Sequence, residues 1–302
     1  MNDQTSKTLR VFAPAKINLY LHVTGQRENG YHTLDSLVGF ADIGDEIQIS
    51  SAEDFRFEIT GPFANAFHGR DIDASPESSN LAVRAVWALS RLAEKAPAFK
   101  ITLQKNLPLG AGIGGGSADA AAVLWGLLEY WNLSADLDGL DALMIMLGAD
   151  VPVCFACKTL HVSGIGEKLK PVSPAPEIPI VLVHPGKACN TKEIFNRFKS
   201  DFSETITPPA HFNSATEMID FLADTENMLT SSALHFVPEI QNTMRALSTK
   251  KDCLLSRMSG SGSTCFGLFD DMDQAEKAAE NLMIENPDWW VKSGWLGRPE
   301  RY

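Results

Sequence analysis

At 302 residues, with 44% hydrophobic and 21% charged side chains, the chain has an ordinary globular balance and room for two domains of roughly 100–200 residues each. Lys and Arg number 26 against 38 Asp and Glu, a formal charge of −12. That balance repels polyphosphate backbones and anionic bilayers, so neither nucleic acid nor a membrane is an expected partner; an anionic small molecule would need a local site of backbone N–H groups and a few cations.

The opening segment, MNDQTSKTLR, is polar and mixed in charge, without an apolar signal core. Apolar runs such as 180–183 and 120–128 fall far short of the ~20 residues that span a bilayer. The expected location is the cytoplasm, and no obligate protein partner is evident. From Ile17, apolar residues (Ile17, Leu19, Leu21, Val23) alternate with Asn18, Tyr20 and His22, which predicts a strand with one wet face. Glu28-Asn29-Gly30 before Tyr31 and His32 predicts a turn over 26–32. Short strands are expected at 45–50 and 54–60. Leu81, Ala85 and Leu89, with Val86 and Leu92, have helical spacing within 80–94, and 99–104 is a further strand.

A glycine-rich segment, 108–118, comes next. Beyond it Ala121, Leu124, Trp125 and Leu128 fall at i, i+3, i+4 and i+7, which predicts an amphipathic helix running to Trp131. A helix is expected over 138–147. Cys154 and Cys157 have the spacing of a redox or zinc half-site, but they lie in the apolar run 151–156 without a second pair, and His161 is poorly spaced as a third ligand. With Cys189, Cys253 and Cys265 they form no disulfide framework and are expected to be plain thiols. A buried strand at 178–183 opens the second domain. Helices are expected at 193–198, 215–223, 237–247 and 274–284, with a strand at 265–269. Strands and helices do not strictly alternate, so the expected class is α+β with antiparallel sheet. The division falls near 165–177, giving domains 1–170 and 171–302.

Five glycines occupy the seven positions from Gly110 to Gly116, after a strand and before a helix. Glycine accepts positive φ and lets backbone approach a ligand, and a helix start aims N–H groups and positive dipole at one point. The combination predicts an anion site. Ser117 either caps the helix or turns its hydroxyl toward a phosphate or Mg²⁺. The segment is no Walker loop, because Ser117 stands where the lysine belongs, and it is a poor dinucleotide fingerprint. A flexible surface turn is the plain alternative. Asp119, expected in the first helical turn, would repel phosphate unless it points away. A second glycine run, 258–264, is as readily a hairpin or linker as a ligand contact.

Lys16 sits in an otherwise alternating strand, at a sheet edge or placed for chemistry. Asp150 lies in Leu147-Gly148-Ala149-Asp150-Val151-Pro152-Val153, where an unpaired buried carboxylate would be costly. Each suits a structural ion pair or a turn cap. Each equally suits phosphorylation of an alcohol, which needs one base on the hydroxyl and one cation near the moving phosphoryl.

With these pieces in place the chain resembles the GHMP kinases, the family of galactokinase and the homoserine, mevalonate and phosphomevalonate kinases. Three motifs carry the resemblance, in the family's order: Pro14-Ala15-Lys16-Ile17-Asn18-Leu19, the glycine loop 108–118, and Gly260-Ser261-Gly262-Ser263-Thr264. Within the family it is most similar to members that act on a diphosphocytidyl-linked sugar alcohol. Gly25-Gln26-Arg27, Gly30-Tyr31-His32, the run 112–122 and Gly148-Ala149-Asp150-Val151-Pro152 carry that choice, and Gly164-Ile165-Gly166-Glu167, His184-Pro185-Gly186 and Asn227 agree.

The resemblance implies a two-domain fold with the active site in the cleft and ATP as phosphoryl donor, accompanied by Mg²⁺. Asp150 would be the base and Lys16 its electrostatic partner. Pro108, Gly110, Gly112, Gly114, Gly115, Gly116 and Ser117 would wrap the ATP phosphates, with Ser117 the one candidate metal ligand. Tyr31 would stack on the cytosine and His32 hydrogen-bond to it. Phe195 would be a second aromatic face, and Asn18 and Thr191 polar contacts. Ala111 and Ile113 are modest departures, Lys105 is retained before the loop, and 200–215 matches nothing assignable.

Overall fold

A computed structural model describes residues 8–298. The chain starts with β1 (Thr8–Gln26), turns over 27–31 and returns as β2 (His32–Ser51) in one long antiparallel hairpin. The register slips between Pro14 and Lys16, between Asn18 and Tyr20, and between Val23 and Gly25. Such bulges re-aim side chains, and the first two bracket Lys16 and Asn18.

The expected wet face of β1 is not there: Asn18, Tyr20 and His22 are all buried. Each makes at least one hydrogen bond inside the protein instead, although Asn18 Oδ1 and His22 Nδ1 stay without a partner. Asn18 Nδ2 donates to Ser36 Oγ at 2.8 Å, Tyr20 Oη donates to Asp35 Oδ1 at 2.6 Å, and His22 Nε2 accepts from the Glu226 N–H at 3.3 Å. Burial, helped by the Asp35 carboxylate, pushes the Tyr20 phenol far above its ordinary pKa. Alternation senses the chemistry of a strand's two faces, and here the polar face is covered by the C-terminal half of the chain.

β3 (Arg56–Thr60), α1 (Leu81–Leu92) and β4 (Phe99–Gln104) follow; β4 runs antiparallel to β2 and parallel to β3, which makes the sheet mixed. Next come α2 (Gly115–Tyr130), α3 (Leu140–Leu147), α4 (Val151–Ala156) and the hairpin of β5 (Leu160–Gly164) and β6 (Lys168–Pro171), added to β2. α2 departs from the expected amphipathic pattern. Ala118 through Leu124 and Gly126 through Leu128 are buried, because the sheet, α1 and α4 surround this helix.

The second half is β7 (Ile178–His184), α5 (Thr191–Arg197), α6 (Ala215–Ala223), α7 (Thr230–Phe236), α8 (Glu239–Ser248), β8 (Cys253–Met258), β9 (Cys265–Phe269), α9 (Met272–Glu285) and β10 (Trp290–Leu296). Its strands pair antiparallel in the order β10-β7-β9-β8 and meet the first sheet at one bridge, Leu296 opposite Ala41. The unassigned stretch 200–214 is an irregular strap laid on the first hairpin. Ser203 N donates to Val23 O at 3.0 Å and Ile206 N to Asp35 Oδ2 at 2.5 Å.

Three core clusters result. One packs α1 to α4 on the first sheet, around Ile47, Phe99 and Leu124; one packs α7 to α9 on the second, around Val181, Ile240 and Leu282. The third takes Ile17, Leu19 and Leu37 from one half and Ile180, Leu182 and Phe266 from the other. All five cysteines are free thiols. Burial pushes the Cys154 thiol well up, so it stays protonated and inert. Among the described residues no helix is long and apolar enough to cross a membrane.

Candidate active site

Lys16 and Asp150 lie 134 residues apart in sequence, yet Lys16 Nζ donates to Asp150 Oδ2 at 2.8 Å. The bulge after Pro14 turns the lysine inward, and its N–H donates to Ile113 O at 3.0 Å. Asp150 occupies the N-cap position of α4, but its carboxylate caps nothing and reaches across to the ammonium. The turn-cap alternative therefore fails. So does the expectation of a buried acid: the Lys16 side chain is 8% exposed, whereas the Asp150 side chain is 46% exposed and faces a cleft. The acid is open to a reactant on one side and held by a sheltered cation on the other.

The glycine loop stands over this pair. Gly112 and Gly114 both have positive φ, 73° and 66°, and Gly114 is the N-cap from which α2 starts. A Cβ on Gly114 would lie 3.1 Å from Lys16 Cβ, so bare backbone is what lets the loop pass over the lysine. The second glycine run is a hairpin turn between β8 and β9 that buttresses the first. Ser259 Oγ donates to Gly112 O at 3.1 Å, Thr264 N to Ala111 O at 3.0 Å, and Asn227 Nδ2 donates to both Met258 O and Gly260 O at 2.8 Å. A floppy surface turn is excluded by these ties. Ser117 does not cap the helix, and it lines the cleft. Asp119 belongs to the second turn, not the first. It is buried at the wall of the cleft, with Oδ2 accepting from Lys105 Nζ at 2.7 Å, so a cation offsets its charge there.

Beyond the pair, the cleft runs to an aromatic end. The His32 ring stacks on Phe195, centroids 5.4 Å apart at 29°, with Phe198 edge-on at 5.8 Å. Tyr31, 63% exposed, projects from the β1–β2 turn. Burial lowers the His32 pKa, which leaves a neutral ring with one donor and one acceptor. Thr191 Oγ1 shares a 2.8 Å hydrogen bond with Ser261 Oγ, while Asn18 Oδ1 is buried without a partner. Phe67, Asp71, Ser79, Asn80 and Leu81 also line the cleft. The whole cleft measures about 1210 Å³, above the roughly 300–1,000 Å³ of a single small-ligand pocket, and so has space for two substrates side by side.

Residues 80–158 match the model of the GHMP kinases N terminal domain, and 214–287 that of the GHMP kinases C terminal domain. The 4-diphosphocytidyl-2-C-methyl-D-erythritol kinase of Paramagnetospirillum magneticum is 40% identical over 279 residues, 92% of this chain and 95% of that one. The same-named protein of Agrobacterium fabrum is 42% identical over 283 residues, 92% and 93% of the two chains. The chain belongs to the 4-diphosphocytidyl-2-C-methyl-D-erythritol kinase family of GHMP kinases. A crystal structure of a 4-(cytidine 5'-diphospho)-2C-methyl-D-erythritol kinase superposes with TM-score 0.78 at 32% identity, covering 96% of this chain and 100% of that one. A homoserine kinase from Cytophaga hutchinsonii, 15% identical at TM-score 0.69 over 100% and 99% of the chains, shares the fold.

In this GHMP kinase one cleft gathers every site residue expected from sequence: Lys16, Asn18, Tyr31, His32, Pro108, Gly110, Gly112, Gly114, Gly115, Gly116, Ser117, Asp150, Thr191 and Phe195. Two details differ from expectation. Phe195 faces His32 directly, and Tyr31 is the aromatic ring left open; Thr191 is already engaged by Ser261. Sequence reasoning missed Asn80, Lys192 and Ser261 as cleft residues. Asn80 looks like a plain helix cap, and its Oδ1 does accept from Ala82 N at 3.0 Å. The signal available for Lys192 was its place beside Thr191 at the start of a helix. Among the described residues no group of three His, Cys, Asp or Glu could hold a metal ion.

Proposed function

We propose that this kinase moves the terminal phosphoryl of ATP to the 2-hydroxyl of 4-diphosphocytidyl-2-C-methyl-D-erythritol, a step of non-mevalonate isoprenoid precursor synthesis. The observation that carries the reading is the Lys16–Asp150 pair in one cleft that the glycine loop, Tyr31, His32 and Phe195 also line. The open carboxylate of Asp150 takes the hydroxyl proton. The alkoxide oxygen bonds to the γ-phosphorus as the β–γ bridging bond breaks, and ADP leaves. Lys16 keeps the carboxylate oriented and offsets charge on the transferring phosphoryl. The glycine loop and the first turn of α2 hold the donor phosphates with main-chain N–H groups. A Mg²⁺ accompanying ATP would neutralise phosphate charge. Ser117, which makes no helix-cap bond and lines the cleft, would be the side chain to hold it.

The acceptor's base lies at the aromatic end, between Tyr31 and the His32–Phe195 stack, with Asn18 and Thr191 as polar contacts. Lys192 is the cleft ammonium that, among the described residues, belongs to no ion pair, and it suits the acceptor's diphosphate. The division into an ATP-binding part, 1–170, and a substrate-binding part, 171–302, belongs to the same proposal, with Tyr31 and His32 reaching the acceptor from the first part.

Incubation of the protein with ATP, Mg²⁺ and the diphosphocytidyl alcohol should yield a new phosphomonoester by phosphorus NMR. Faster turnover of mevalonate or homoserine, or no turnover despite ATP binding, overturns the assignment. Tyr31→Ala is expected to raise the acceptor KM about ten- to hundred-fold, the equivalent of one lost base stack at ~1–3 kcal/mol. The ATP KM should stay within two-fold (~2×) of wild type, because stacking acts on one substrate only; equal loss for both substrates would refute the stacking role.

A further inference from the structure

Lys105 is the first residue after β4 and lines the donor side of the cleft, where a phosphate-binding lysine would be looked for. It is not free for that work. Its Nζ donates to Asp45 Oδ2 at 2.5 Å and to Asp119 Oδ2 at 2.7 Å, and all three side chains are buried. Asp45, on β2, also accepts at Oδ1 from the N–H groups of Asn106 at 2.5 Å and Leu107 at 2.8 Å, and Asn106 Nδ2 donates to Gly44 O at 3.1 Å. The first three residues leading into the glycine loop and the helix that leaves it are thus tied to one point on β2. The cluster lies directly beneath the start of α2: a Cβ on Gly115 would be 3.2 Å from Lys105 Nζ and 3.8 Å from Asp45 Oδ2.

We propose that Asp45, Lys105 and Asp119 are positioning residues for the donor nucleotide, a buried staple that closes 105–119 into a ring and holds the phosphate-binding N–H groups in place before ATP arrives. The proposal rests on the reading that this loop holds the ATP phosphates. A loop ordered in advance loses less conformational freedom on binding, which appears as affinity. Apolar side chains of the same volume would fill the space as stably as an ion pair. What charged groups add is direction, because each hydrogen bond fixes where its partner segment sits. The composition of the cluster agrees. Asp119 Oδ1 has no partner, and burial holds its carboxyl well above the usual range, whereas for Lys105 the two carboxylates outweigh burial and hold the ammonium charged. One cation between two acids, with both hydrogen bonds of Lys105 made to Asp45 and Asp119, is built to join segments.

The test is the full-length double variant Lys105→Met/Asp119→Leu, which removes the pair without leaving Asp119 charged and alone. ADP affinity is measured by calorimetry without acceptor, KM by steady-state kinetics, and amide hydrogen exchange along the chain. The expected result is ADP affinity and ATP KM weakened about ten-fold or more, in line with losing hydrogen bonds between charged groups, with the acceptor KM unchanged and exchange accelerated within 106–118. Lower thermal stability with unchanged ADP affinity and unchanged exchange at 106–118 would mean the cluster is only structural, and would overturn the proposal. Should the double variant not fold, Asp119→Asn, which keeps shape and one hydrogen bond, must show the same donor-selective pattern at smaller size, or the proposal fails. Accelerated loop exchange without any ADP binding by the unmodified protein would instead sink the reading of the loop as the ATP site.

Discussion

Asp150→Asn is expected to lower kcat by about 10²–10⁴-fold, the usual contribution of a positioned general base. The fold should survive the change. The side chain is 46% exposed, caps no helix, and meets the protein through one hydrogen bond from Lys16. An asparagine oxygen still accepts that bond, though more weakly than a carboxylate, so the lysine keeps a partner while the site loses its proton acceptor. Rapid-quench single turnover, with the thermal transition and ADP affinity as controls, separates the chemical step from binding. A variant turning over within about ten-fold of wild type would remove Asp150 from the role of base. Lys16→Met should slow the same step, and the double variant should be scarcely slower than either single one, because groups that act as a unit are not additive.

How much of this was legible in the sequence depends on the distance over which each cause acts. The helix beginning at Leu81, β4 and the helix beginning at Ala215 are set by local spacing, and their expected bounds differ from the observed ones by about two residues at most. The glycine loop was legible because its cause is local too: residues at positive φ before a helix. The wet face assigned to β1 failed because Tyr20 and His22 are polar for the sake of Asp35 and Glu226, 15 and 204 residues away. β10, with Lys292, Ser293 and Gly294 in its middle, carries no strand pattern of its own and exists because β7 offers it an edge. In the site, Lys16 and Asp150 each stood out as charges in apolar settings, but their meeting came only through the resemblance. Lys105 was noticed without a role, since Asp45 and Asp119 converge on it from β2 and α2, which no spacing rule connects.

Gly112→Ala is expected to cost the protein its nucleotide affinity, by about ten-fold or more, and to lower its thermal stability as well. Two penalties add. An alanine at φ 73° is strained by about 1–2 kcal/mol. Its Cβ would also stand 2.5 Å from Ser259 O, 2.6 Å from Gly262 O and 2.7 Å from Gly262 N. Those are backbone atoms of the buttressing turn and cannot swing aside, so the two glycine segments must part, at about 1–3 kcal/mol for overpacking of this kind. Gly116→Ala is the matched control. Its Cβ would meet nothing within 4 Å and its φ is not positive, and alanine within the first helical turn is favoured over glycine by up to about 1 kcal/mol. Its stability should hold or rise. If ADP affinity nonetheless falls for Gly116→Ala, the phosphates lie against that bare Cα, and Gly112 and Gly116 are glycine for different reasons: one to let two protein loops touch, the other to let a ligand approach. Equal melting temperatures for wild type and Gly112→Ala, with unchanged ADP binding, would show that the loops do not meet as described.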